Sequence, residues 1–80
     1  MNEEQKKRIA ARLAYYDHRE DRCIDHKYEA IKAGDTELAE KYGRWAHTNA
    51  ARVSVIEEII SILGYKAIWT DDDTVELREA

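Results

Sequence analysis

The chain has 80 residues, with 13 Lys and Arg against 17 Asp and Glu, no proline, three glycines and one cysteine. A net charge of −4 argues against non-specific nucleic-acid binding by the whole surface, and Cys23 alone cannot form an internal disulfide. No apolar run approaches the roughly 20 residues of a membrane span, and the opening MNEEQKKR lacks the apolar stretch of a secretory signal.

The expectation is one mostly helical domain, residues 1–80, in the cytoplasm, with no cofactor. A core this small is marginal. With neither disulfide nor zinc-finger spacing available, self-association is the support that remains.

Helix 1 is expected over about residues 3–33. Asn2 reads as its N-cap, with Gln5 completing a capping box. Glu3 and Glu4 sit where the helix dipole favours negative charge. A stripe follows in steps of three and four: Ile9, Leu13, Tyr16, Glu20, Ile24, Tyr28, Ile31. Gly34 suits a left-handed C′ position.

Helix 2 is expected over about residues 36–63, capped by Asp35 or Thr36. Its stripe is Leu38, Tyr42, Trp45, Asn49, Val53, Ile56, Ile60, Leu63. A turn of about two residues makes the helices antiparallel neighbours. Folding there sets Tyr16 against Val53 and Ile9 against Ile60. Glu20 then meets Asn49, so the polar interruptions of the two stripes share one level. This structural polar layer would fix register. The stretch Val53–Leu63 is apolar over most of its circumference, so more than one neighbour must pack on it.

After Gly64 the period changes to two. Residues 65–70 and 74–78 flank Asp71, Asp72 and Asp73 and read as a β-hairpin over about 65–78. A three-residue loop sets Trp69 opposite Val75 and Ala67 opposite Leu77. A two-residue turn would instead set Ile68 opposite Leu77. The first gathers more apolar surface and is preferred. The hairpin is expected on helix 2, anchored by a buried Trp69. The fold class is therefore mostly α (α+β), a long helical hairpin followed by a small C-terminal β-hairpin.

Candidate sites weigh towards structure. His18, Cys23 and His26 lie in a dense polar stretch, but Arg22 and Lys27 share their faces and oppose a cation. Glu20 as a general base would need a cleft and a nucleophile beside it. Lys6, Lys7, Arg8 and Arg12 could touch phosphate, although Glu57 and Glu58 adjoin them. Asp71–Asp73 lack the further oxygens of an EF-hand. The expectation is no enzyme and no metal site. Ala39, Gly43, Ala46 and Ala50 form a ridge of small residues. Glycine costs about 1 kcal/mol inside a helix, so the ridge suggests close approach of another helix. With Tyr42 and Trp45 it is the expected protein interface, and a homodimer on helix 2 the expected assembly.

Two resemblances accompany these readings. AIKAGDTELAEKYGRWA resembles the turn of a tetratricopeptide helical hairpin, without a second copy. The layout of two helices into Leu63-Gly64-Tyr65, then Trp69 and Asp71–Asp73, resembles short uncharacterised proteins of phages and conjugative elements of gut bacteria. It implies a mobile-element origin, and no activity is carried over from it. Three functions follow as expectations: a protein-binding or self-associating module; an acidic inhibitor that occupies a host protein's nucleic-acid-binding surface through Asp71–Asp73, Glu76 and Glu79; or a small nucleic-acid binder using Lys6–Arg12.

Overall fold

The computed structural model describes residues 1–70 and 73–80. Its elements are α1 (Glu3–Lys32), α2 (Thr36–Ile62), β1 (Tyr65–Trp69) and β2 (Val75–Glu79). The molecule measures 48 × 24 × 18 Å. Among the described residues, no helix is long and apolar enough to cross a membrane.

The helix ends follow from their capping residues. Asn2 Oδ1 accepts from the Gln5 N–H at 2.8 Å, and Gln5 Oε1 accepts from the Asn2 N–H at 3.0 Å. This is the expected capping box. At the other end of α1, Gly34 takes φ +74. The Gly34 N–H then reaches the Ile31 carbonyl, and the Asp35 N–H reaches the Ala30 carbonyl. That pair of bonds closes a Schellman turn. Asp35 also starts α2, its Oδ1 accepting from the Leu38 N–H at 3.1 Å. One short segment therefore stops α1, reverses the chain and starts α2.

The antiparallel register is the expected one. Tyr16 meets Arg52, whose guanidinium carbon is 5.2 Å from the ring centroid. Farther along, His26 stacks on Tyr42 with centroids 5.1 Å apart, and Lys27 lies over Gly43.

The buried seam differs from the expected stripe in the half of the pair nearest Gly34. Cys23, Ala30, Ala39 and Ala46 are buried there, while Tyr28, Ile31, Leu38 and Trp45 are exposed. The ridge of small residues on α2 is thus turned inward. Ala39 and Ala46 are already covered within one chain, and Gly43 and Ala50 are half-buried. Small side chains let the two backbones approach, and the large ones are displaced to the flanks. Ala39, Ala46, Val53 and Ile60, all buried, fall seven residues apart, the period of a left-handed helical pair.

At the open end the seam becomes large and aliphatic. Leu13 and Ile60 are fully buried, with Ala10, Val53 and Leu77 completing the cluster. Tyr65, Ala67 and Val75 pack against it from the β-hairpin.

Strand pairing sets Trp69 opposite Val75 and Ala67 opposite Leu77, the preferred of the two registers. The hairpin does not rest on α2 alone. β1 packs on α2 and β2 on α1, so the strands bridge the helical pair. The anchor is Leu77, 8% exposed, and Trp69 stays 42% exposed. The physical reason is distance from the hydrophobic cluster at the open end. Leu77 lies over Ala10, Leu13, Val53 and Ile60. On the α1 side of the turn, His18 Nε2 lies 3.2 Å from the Asp73 carbonyl oxygen. Trp69, at the turn end of β1, lies beyond that cluster, whereas Val75 opposite it still packs on the core.

Candidate functional site

The β-hairpin covers one side of the open end. On the other side α1 and α2 leave a groove of about 730 Å³ lined by Arg8, Ile9, Ala11, Arg12, Tyr15, Tyr16, Ile56 and Ile59. A second depression continues it along α2 through Arg52, Val55, Ala51 and Thr48, sharing Tyr16 and Ile56. No strand residue lines either one. The floor is apolar because Val53–Leu63 carries aliphatic residues on more sides than α1 and the hairpin can cover. Val55, Ile59, Ile62 and Leu63 remain exposed.

The rim is basic. Among the described residues, neither Arg8 nor Arg12 has a carboxylate within salt-bridge distance. Arg52 stands over the Tyr16 ring, and Arg19 stands over Tyr15. These contacts hold the guanidiniums beside aromatic rings. Sequence reasoning missed this groove. Its signal was available in Val53–Leu63, but on the opposing wall Arg8 and Arg12 read as part of a basic patch with Lys6 and Lys7, and Tyr15 drew no reading.

The expected interface residues are divided by the fold. Ala39 and Ala46 face inward, and the Lys27 side chain lies nearest to Gly43. Tyr42 is half-buried between His26 and Trp45, whose ring lies edge-on at 5.3 Å. Trp45 remains accessible. It sits on the same flank of α2 as Arg52 and Ile59, seven residues from Arg52.

The expected polar layer is altered as well. Glu20 and Asn49 share a level, but no hydrogen bond joins them among the described residues. Asn49, 3% exposed, donates Nδ2–H to the Trp45 carbonyl at 2.9 Å on its own helix. Its Oδ1 is buried with no partner among the described residues. Glu20 is half-buried, and its pKa is raised by burial and then by Asp17 and Asp21. Asp17 is raised in the same way, by burial first and then by Asp21. α1 therefore carries a self-repelling acidic patch at this level.

The remaining candidates are dispersed. Cys23 is buried in the seam, His18 lies against the Asp73 carbonyl, and His26 pairs with Glu29 at 3.4 Å. Among the described residues, no three His, Cys, Asp or Glu side chains are grouped to hold a metal ion. Lys6 is held by Glu3 at 3.0 Å and lies over the Tyr65 ring. The Glu3 hydrogen bond raises the pKa of Lys6 above its ordinary value. The basic cluster is thereby split, with Lys6 turned to the β-hairpin side and Arg8 and Arg12 to the groove. Asp73 has φ +61 and is exposed, whereas Asp71 and Asp72 lie outside the described residues. Glu76 pairs with Arg78 at 2.9 Å.

No protein-family model, curated protein or solved structure matches the chain.

Proposed function

We propose that this chain is a non-enzymatic module that works by binding protein, through the side of the helical pair that the β-hairpin leaves uncovered. The observation that carries this reading is the groove between Ile9, Tyr16, Ile56 and Ile59, rimmed by Arg8 and Arg12, which have no ion-pair partner among the described residues. A contiguous apolar surface rimmed by charge is the usual mark of a protein interaction site. The groove is open and shallow and holds no paired acid and base, which fits docking better than chemistry.

The other two readings have less support. An acidic inhibitor would display Glu76, but that carboxylate is engaged by Arg78. A phosphate binder would present Lys6, Arg8 and Arg12 together, but Lys6 is held by Glu3 on a different side. A mobile-element origin remains a proposal from layout alone.

The test is a photo-crosslinking amino acid placed at Tyr15 in the groove or at Glu37, away from it, in an expressing cell. A discrete protein adduct from position 15 and none from position 37 is expected. No adduct from position 15, or equal labelling from both, would contradict the reading.

A further inference from the structure

We propose that the uncovered groove takes an acidic amphipathic helix of a partner protein, with Arg8, Arg12 and Arg52 pairing with its carboxylates from both walls. This rests on the protein-binding reading above and names the chemistry of its partner.

The first support is the charge of the lining. Three depressions run together along this face. Arg8 and Ile9 link the groove to a shallower one at Met1 and Gln5, and Tyr16 and Ile56 link it to the one at Arg52. Arg8, Arg12 and Arg52 line them, and among the described residues none of the lining side chains is a carboxylate. Arg19 adds a fourth guanidinium, donating to the Tyr15 hydroxyl at 3.2 Å. The chain has 17 acidic and 13 basic side chains, so this face runs against the overall balance. The acids lie elsewhere. Asp17 and Glu20 are repelled by Asp21, and Asp17 also by Asp73 at the hairpin turn. Glu3 holds Lys6 beside Tyr65 of the β-hairpin. The planar fork of arginine matches a carboxylate at two points, so the unmet complement of this face is an acidic one.

The second support is shape. Ile9, Tyr16 and Ile56 are half-buried, while Tyr15 and Ile59 stand 48% exposed. Both walls are helices, whose backbone groups pair within each helix, so an extended peptide finds no strand edge to join here. A helix satisfies its own backbone and can lay an apolar stripe into the groove. From Thr48 to Ile59 the face follows α2 for about 16 Å at 1.5 Å per residue, or about three helical turns. A bilayer surface would meet the arginines but not the recessed Ile9 and Ile56. A second copy brought face to face would set the arginines of both chains together, a like-charge contact.

The experiment is selection from a displayed library of random helical peptides against the immobilised chain. Enriched peptides are then measured by fluorescence anisotropy with the wild type, Arg12→Glu and Ile59→Asp, each verified as folded by circular dichroism. The enriched sequences should carry apolar residues three and four apart, flanked by Asp or Glu. Their binding should weaken at least about tenfold in Arg12→Glu, the scale of close interfacial charge pairs, and should fall as salt is raised. Among peptides with one acidic residue changed to lysine, one should recover most of the loss on Arg12→Glu. Neutral or basic peptides that bind the wild type but not Ile59→Asp would overturn the acidic partner and leave the docking reading standing. If no enriched peptide responds to Ile59→Asp, both are contradicted. Arg12-dependent co-sedimentation with phosphatidylserine vesicles would assign the face to a membrane. A dimer of the chain alone that Ile59→Asp dissociates would assign it to a second copy. Either result overturns the proposal.

Discussion

Lys27 of α1 lies across Gly43 of α2, with its Cδ and Cε 3.7 Å from where a Cβ on residue 43 would stand. That is ordinary van der Waals distance to the flexible stem of a lysine. No backbone approaches closely enough to require glycine here.

Gly43→Ala should therefore stabilise the protein. It removes a helix-interior glycine at a gain of about 1 kcal/mol and adds a methyl contact to the Lys27 stem. For a chain of this size the melting temperature should rise by roughly 4–8 °C. A fall on thermal denaturation would mean that a neighbour needs the space.

Leu77 and Trp69 should reverse the expectation that the larger residue matters more. Leu77→Ala removes a buried side chain over Leu13 and Ile60 and should cost about 2–5 kcal/mol. Trp69→Ala, at a partly exposed position, should cost distinctly less. Urea titration of both variants decides the order, and equal losses would mean that the indole is seated more deeply than Leu77 requires.

Asn49 keeps one amide oxygen buried without a partner among the described residues. A buried unpaired acceptor costs about 1–3 kcal/mol. Asn49→Leu should accordingly raise the urea midpoint, with register held by the caps and by Leu13 and Ile60. A destabilised variant would show that the carboxamide has a second role at this level.

The pKa values of Asp17 and Glu20 are raised above 3.8 and 4.5, first by burial and then by neighbouring carboxylates. The native state thus binds these protons more tightly than the unfolded chain. The stabilisation is complete below the unfolded pKa values and is lost as pH rises through the folded ones. Asp17→Asn should raise the melting temperature at pH 7 and flatten its decline from mildly acidic to neutral pH. Glu20→Gln should keep the fold and shift stability in the same direction. A lower melting temperature for Asp17→Asn at pH 7 would contradict the repulsion between Asp17 and Asp21.

The helix limits, the Gly34 turn and the strand register were legible because each depends on a few local residues. Asn2 with Gln5, Gly34 with Asp35, and Leu77 opposite Ala67 carry their geometry in their spacing. The seam near Gly34 was not legible, because hydrophobicity alone favours Ile24, Tyr28 and Trp45 over Cys23, Ala30 and Ala46. Close helix packing selects small residues, and a stripe of large ones one position away masks them. The same rotation decides which side of α2 is free. Reading Ala39 and Ala46 as outward moved the expected interface off the groove. The Trp69 expectation failed because size was weighed without asking which strand position lies over the cluster of Leu13 and Ile60.

The most direct test of the uncovered face is a titration of the isotopically labelled chain with a selected acidic peptide, followed in its amide spectra. Docking through this face predicts shifts centred on Tyr15, Tyr16, Ile56 and Ile59. Lys66 and Arg78, on the outer side of the β-hairpin, should stay still. Spectra that never change, or shifts centred on the β-hairpin instead, would contradict docking through the groove.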